Sequence, residues 1–125
     1  PDHPLAQRKR ISLADLCKYP AVFPGTHTFT RKIALQLFDQ AGLTPDISMS
    51  TNYMETIKMM VSIGLAWSVL PHSMLDDSVV RLPINDASLS RDLGYIVHTE
   101  RTLSNAAQAF MQMLNSTDSI DDKAL

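Results

Sequence analysis

The stretch from Thr26 to Lys32 carries three threonines followed by two cations, the pattern in this sequence best suited to hold a ligand. A helix beginning here would point N–H groups and a partial positive charge at the loop. Acidic residues are preferred at that end of a helix, so Arg31 and Lys32 in its first turn are unusual. Hydroxyl donors, N–H groups and a nearby arginine together describe a carboxylate or phosphate site. The alternative, that Thr28 caps the helix and both cations face water, stays open on the residues alone.

Other residues able to do chemistry show no arrangement typical of catalysis or metal binding. Ser68 and Ser73 lack the Gly-x-Ser-x-Gly sequence of a nucleophile elbow. The adjacent Asp76 and Asp77 are expected in a solvated loop. No histidine has a paired spacing with cysteine or carboxylate. We therefore expect no catalytic residue, no metal and no cofactor. The histidines in question are His3, His27, His72 and His98.

Composition limits the class of protein. The 125 residues suit one domain, and 45% apolar residues can supply a core. A net charge of −2 argues against a nucleic-acid-binding surface, which needs clustered Lys and Arg. Cys17 is the only cysteine, which favours a reducing compartment. No apolar run approaches the roughly 20 residues that span a bilayer, and no signal peptide is visible. We expect a soluble, cytoplasmic globular protein with no membrane association.

The helix after the threonine-rich loop is the most strongly marked element of the sequence. Its apolar residues recur at helical spacing on one face. Gly42 suits a left-handed C-terminal cap, and Pro45 prevents continuation. The residues predicted to form the inner face are Phe29, Ile33, Leu37, Phe38 and Ala41.

Three further helical segments are predicted. Leu13–Leu16 can make one turn, and Ser104 can cap a final helix. Asn52 can cap another helix, with Glu55 placed three residues later as in a capping box. The inner face of that helix is predicted to contain Met54, Ile57, Met60, Val61 and Gly64, and that of the final helix Ala107, Phe110, Met111 and Leu114.

Short apolar segments between these helices predict strands at residues 19–23, 46–50, 65–70, 79–83 and 94–98. The segment 65–70 has no clean alternation, as expected of a strand covered on both faces. Strands alternating with helices imply a mainly parallel sheet, so the fold class is α/β.

Six short segments, in order, resemble the effector domain of LysR-type transcriptional regulators. Each segment is weak alone, but together they cover roughly residues 2–114 in the right order and spacing. Ala66 stands where the family's second glycine of "GlG" is usual, and Trp67 follows it; we expect Trp67 in the core. The matching segments are Asp2–Ala6, Ile11–Leu16 with Tyr19-Pro20, Pro24–Arg31, Ala41–Leu43 with Pro45, Val61 with Gly64-Leu65 and Leu70-Pro71, and Leu103–Phe110.

The resemblance implies a periplasmic-binding-protein type II-like fold with three α/β/α layers. It divides the chain into a leader (1–12), most of the second lobe (13–84), a crossover (85–92), a return strand and helix of the first lobe (93–114) and a disordered tail (115–125). The family's helix-turn-helix, linker helix and first half of the effector domain are not in this sequence. We expect either a fragment or a chain whose missing parts come from another polypeptide.

The resemblance also implies where a ligand binds. In the family the inducer lies in the cleft between the lobes. Thr28 and Phe29 match the loop positions that face the cleft, Thr26 and His27 flank them, and the helix start at Asn52-Tyr53 also lines it. Without the resemblance, Asn52 is a cap and Tyr53 a surface aromatic.

The expected partners are a small anionic effector and a second copy of the chain, as a homodimer or higher oligomer. Leu35 is a candidate interface residue, since family dimers use this helix. DNA would be bound only through the N-terminal domain that this sequence lacks. Two other classes remain: a lobe of a periplasmic-type solute-binding protein, which would need a signal peptide, and a small α/β enzyme, which would need a nucleophile, base and orienting group.

Overall fold

The computed structural model of the chain describes residues 2–85, 89–90 and 94–116. They fall into two units, the first containing residues 2–85 with 89–90 and the second residues 94–116. The helices are α1 (Leu13–Leu16), α2 (Phe29–Gln40), α3 (Met54–Ser62) and α4 (Asn105–Ser116), with short 3-10 turns at Pro4–Gln7 and His72–Met74; the strands are β1 (Ala21–Phe23) and β2 (Ile47–Ser50).

The sheet of the first unit has β1 at its centre. β1 pairs in parallel with β2, with Phe23 opposite Ser50. On its other edge, β1 is joined by the extended segment around Trp67: the Trp67 N–H donates to the Pro20 carbonyl (3.1 Å), and the Val22 N–H donates to the Trp67 carbonyl (3.0 Å). The predicted strand at 65–70 is thus reduced to one parallel bridge.

Side chains alternate across this sheet and place one helix on each face. Ala21, Phe23 and Trp67 share a buried cluster with Ala34 and Phe38 of α2. The intervening positions point the other way, where Val22, Ala66 and Leu70 cluster with Ile57 of α3. This arrangement is the predicted three-layer α/β/α fold.

Trp67 belongs to the core, as predicted. Its side chain is 5% exposed, and its ring meets Phe23 edge-on at a centroid distance of 5.4 Å. The indole N–H donates to the carbonyls of Leu16 (3.0 Å) and Tyr19 (3.1 Å), so the polar end of the ring is satisfied. Trp67 therefore connects α1 to the sheet through a hydrogen bond.

Four local predictions need correction. Tyr53, not Asn52, is the N-cap residue of α3, and no side chain caps that helix, so the capping box with Glu55 is wrong. Phe29 is 59% exposed, and Ala34 and Phe38 are the buried residues of α2. Residues 79–83 and 94–98 are described but contain no strand. The first stretch has a neighbour only at its end, where the Pro83 carbonyl accepts from the Ile11 N–H (3.2 Å) and Ile84 forms a single parallel bridge with Ile11. A strand needs hydrogen bonds to a neighbour along its length.

Other local predictions are confirmed. The single turn predicted at Leu13–Leu16 is present as α1, with a capping box between Ser12 and Asp15 that is not identified from the sequence. Gly42 ends α2 with a φ of 66°, and the Leu43 N–H returns to the Phe38 carbonyl at 2.9 Å. The segment interpreted as a leader also contributes to the core, since Leu5 is fully buried.

The second unit contains α4 and the segment before it. The Ser104 hydroxyl accepts from the Ala107 N–H at 3.2 Å, so the predicted cap is confirmed. The Tyr95 hydroxyl contacts the Asn115 side chain at 3.1 Å. α4 includes residues 115–116 of the predicted disordered tail, and residues 117–125 lie outside the described part of the chain. None of the described helices is long and apolar enough to cross a membrane.

Candidate functional site

Polar residues gather at one edge of the sheet because its parallel segments end there. β1 ends at Phe23, β2 ends at Ser50, and the segment containing Trp67 ends at Pro71. The edge beyond the carboxyl ends of parallel strands is where open α/β sheets bind ligands. An open groove of about 610 Å³ lies there, lined by Pro24, Gly25, Thr26, His27, Thr28, Phe29, Thr30, Asn52, Met54 and Pro71.

The loop from Gly25 to Thr28 is closed by a single carbonyl. The Gly25 carbonyl accepts from both the Thr28 hydroxyl (2.8 Å) and the Thr28 N–H (3.0 Å). Thr28 is the N-cap residue of α2, but its side chain does not cap the helix. The alternative in which Thr28 caps α2 is therefore right about its position and wrong about its side chain. Its hydroxyl proton is already used, which leaves only acceptor capacity for a ligand.

The peptide group between Pro24 and Gly25 is held from two sides. Its N–H donates to Asn52 Oδ1 at 2.9 Å, and its carbonyl accepts from Arg31 Nη1 at 3.2 Å. The same Arg31 nitrogen donates to the Ser50 hydroxyl at 2.7 Å. The cation expected to face water or an anion is thus turned back onto the loop and β2.

Five of the six residues predicted to bind a ligand line the groove. Thr26 and His27 are exposed at the loop tip. The Phe29 N–H, in the first turn of α2, has no hydrogen-bond partner among the described residues. Tyr53 is 77% exposed and is not among the lining residues. The five are Thr26, His27, Thr28, Phe29 and Asn52.

Sequence reasoning missed several residues of this edge. Gly25, Met54 and Pro71 line the groove, and Ser50 anchors Arg31. From the sequence, Pro71 is identified only as part of a segment that resembles the family. A usable signal was available, since the residues following parallel strands meet at one edge.

A smaller recess of about 370 Å³ lies on the α2 side of the same loop, lined by residues 26–29 with Arg31, Lys32 and Leu35. Leu35 is partly buried and packs against the core cluster. Its role in an interface stays a prediction.

The perturbed ionisable groups lie outside the groove lining. Hydrogen bonds from Lys18 and Ser12 lower the pKa of Asp15, and hydrogen bonds from Lys58 and Ser78 lower that of Asp76. Burial lowers the pKa of His3 and raises that of Cys17. Among the described residues, no group of three His, Cys, Asp or Glu side chains could hold a metal ion. The groove therefore offers hydrogen-bonding side chains and the start of a helix.

An α/β lobe with a polar groove at the carboxyl edge of its sheet is typical of ligand-binding domains, and comparison with known proteins agrees. The model of the LysR substrate binding domain matches residues 1–118. The chain belongs to this family, and its fold is the periplasmic-binding-protein type II-like fold of LysR effector domains.

Two curated relatives come from Bacillus subtilis. The transcriptional dual regulator GltC is 29% identical over 90% of this chain, and the HTH-type transcriptional regulator CysL is 31% identical over 91%. The chain spans only 39% and 40% of the length of these two proteins.

Solved structures give the same fold. HinK, a LysR family transcriptional regulator from Pseudomonas aeruginosa, matches 89% of this chain with a TM-score of 0.68 and 26% identity, over 40% of its own chain. The effector binding domain of QuiR in complex with shikimate matches 89% of this chain with a TM-score of 0.69, over 54% of its own chain. Its 24% identity shows the fold alone.

Proposed function

We propose that this chain is the ligand-sensing part of a LysR-type transcriptional regulator and binds a small anion in the groove at the sheet edge. The observation that carries the proposal is the set of groups gathered there: the Thr26 and His27 side chains, the unpaired Phe29 N–H and the Asn52 amide. Hydrogen-bond donors at a helix start stabilise a carboxylate or phosphate through the helix dipole and hydrogen bonds.

The remaining parts of the proposal follow the family. Residues 13–84 form most of the second lobe, and residues 93–114 return to the first lobe. The effector closes against a first lobe, and a helix-turn-helix of the parent protein binds DNA. The regulator acts as a homodimer or higher oligomer in the cytoplasm, with Leu35 at the interface. The relatives are transcriptional regulators, and we propose that this chain has no catalytic activity.

A binding screen with matched ligands tests the anion. Isothermal titration would compare shikimate and benzoate with their methyl esters, which keep the ring and lose the charge. We expect binding of an acid and at least tenfold weaker binding of its ester. Equal affinity for acid and ester would refute an anion site, and turnover of any probe in a parallel product assay would favour the enzyme alternative.

A second experiment tests whether this chain itself binds DNA, a role that the proposal gives to the helix-turn-helix of the parent protein. The acidic balance of the chain predicts no sequence-selective binding of duplex DNA. Fluorescence anisotropy with the promoter region of the chain's own gene, at low and physiological salt, measures this. Selective binding that survives added salt would contradict it.

A further inference from the structure

We infer that Arg31 and Asn52 are positioning residues: together they clamp the Pro24–Gly25 peptide and so fix the orientation of the ligand-binding loop. The inference deepens the proposed function and rests on it only for the effect on ligand affinity. The clamp itself is a property of the free chain.

The clamp holds both polar ends of one peptide group. Because the Pro24 carbonyl and the Gly25 N–H belong to the same plane, bonds to both ends leave it no freedom to flip. Asn52 holds the N–H at 2.9 Å and Arg31 holds the carbonyl at 3.2 Å. Pro24, whose φ is fixed by its ring, is also buried.

The clamp connects four elements at the sheet edge. Arg31 lies in the first turn of α2 and also contacts Ser50 at the end of β2. Asn52 lies two residues before α3, and the clamped peptide directly follows β1. One peptide therefore sets the positions of both helix starts that line the groove.

The sequence around the clamp fits this role sterically. A Cβ atom on Gly25 would lie 2.5 Å from Asn52 Oδ1, a distance that real Cβ atoms do not show. Only glycine therefore allows the Asn52 amide to approach this closely. The Gly25 carbonyl, oriented by the same clamp, then accepts both donors of Thr28.

The Asn52 side chain also has hydrogen-bond donors in its NH₂ group. With Oδ1 accepting from Gly25, the NH₂ group is the part of the Asn52 side chain that can donate to a ligand in the groove. A fixed loop with a donor on each side loses little freedom when a ligand binds, which increases affinity.

Amide hydrogen exchange in the free chain tests the clamp without any ligand. In NMR spectra we expect the Gly25 amide to exchange at least tenfold more slowly than those of Thr26 and His27. Asn52→Ala should remove this protection at Gly25 and leave the Trp67 amide unchanged. Asn52→Asp, which keeps an acceptor oxygen, should restore it. Unaltered Gly25 exchange in Asn52→Ala, or acceleration at Trp67 to the same degree, would overturn the inference.

A double-mutant cycle adds an independent test. Gly25→Ala should clash with Asn52 and open the loop. In the Asn52→Ala background the same change meets no Oδ1 atom, so its effect on melting temperature should fall to less than half. Equal effects in both backgrounds would show that the close approach has no consequence.

Ligand titration then shows what the clamp does for binding. Arg31→Met should weaken binding of the acid that binds best in the screen by about tenfold, and Arg101→Gln, the loss of an arginine in the other unit, should not. Unchanged affinity in Arg31→Met would overturn the positioning role. If no acid binds the unmodified chain, the proposed anion site fails, while hydrogen exchange still decides the clamp.

Discussion

The two units of this chain use their apolar residues differently. The first unit encloses a core of large apolar side chains: Phe23 and Leu5 are fully buried, and Trp67 is 5% exposed. In the second unit α4 has no buried residue, and Phe110 is 61% exposed. Both helices α2 and α4 carry apolar residues at helical spacing, so the periodicity is similar while the burial is not.

This difference shows that the spacing of apolar residues identifies the apolar face of a helix but not the element that covers that face. The first unit supplies two layers of helix for its own sheet. The second unit leaves Ile96 fully exposed, with Met113 and Leu114 also among its exposed residues. A contiguous exposed apolar surface normally marks an interaction site. We expect the first unit to fold by itself and the second to depend on association.

The largest effect is expected at the centre of the first unit. Trp67→Ala should lower the free energy of unfolding by about 3–5 kcal/mol, because it opens a large cavity. It also removes the donor that satisfies the Leu16 and Tyr19 carbonyls. Urea unfolding followed by circular dichroism measures it, since Trp67 is the only tryptophan.

Two variants control this measurement. Trp67→Phe keeps an aromatic ring and loses the N–H, so it should cost less than Trp67→Ala. Met59, which is 56% exposed, should tolerate Met59→Ala within about 0.5 kcal/mol. A loss below about 1 kcal/mol in Trp67→Ala would mean that the first unit has no defined core around this residue.

The sequence predicts elements whose causes are local. The single turn at Leu13–Leu16 needs only neighbouring residues, and the cap at Gly42 needs only a residue that tolerates positive φ. The α/β class and the helices of both faces followed from such signals and from the family resemblance.

The predictions that failed depend on distant partners. Asn52 has the residue type of a cap, but its oxygen contacts Gly25, 27 positions earlier in the sequence. Arg31 in α2 likewise donates to the Ser50 hydroxyl in β2. Local rules tend to break where residues serve a site. The strand expected at 79–83 is absent because pairing with a neighbouring segment is limited to its end, at Pro83 and Ile84 beside Ile11. Local sequence does not specify how far such pairing extends.

A second prediction compares the helix caps of the two units. Ser12→Ala removes the cap of α1 and should lower the free energy of global unfolding by about 1 kcal/mol. Ser104→Ala removes the corresponding bond at α4 and should reduce helical content without moving the main unfolding transition. Circular dichroism under urea checks both. Equal shifts of the main transition would show that the two units unfold as one.

A third prediction concerns acid. Hydrogen bonds from Lys18 and Ser12 lower the pKa of Asp15 in the folded chain. A carboxyl whose pKa is lowered by folding stabilises the fold fully above its ordinary range, and this stabilisation is lost as the pH falls toward the folded value. The unmodified chain should therefore lose more stability than Asp15→Asn between about pH 5 and pH 2.

Melting temperatures across that pH range measure the difference. Lys18→Met removes the first of the two causes, so its curve should lie between those of the unmodified chain and Asp15→Asn. Parallel curves for all three would contradict a folded-state stabilisation of this carboxylate.

The smallest effect on stability is expected at the exposed face of α4. Phe110 is 61% exposed, so Phe110→Ala should change the free energy of unfolding by less than about 0.5 kcal/mol. Its effect should instead fall on association, because apolar side chains in water favour a partner.

In sedimentation velocity, we expect the unmodified chain to form dimers or larger species with rising concentration, and Phe110→Ala to shift them toward monomer. The matched variant Gln108→Ala, on the same helix, should not. Mass spectrometry would show whether a second polypeptide copurifies. A monodisperse monomer that unfolds in one transition, with Phe110→Ala costing several kcal/mol, would mean that residues 93–114 pack within one domain and that the division into lobes is wrong.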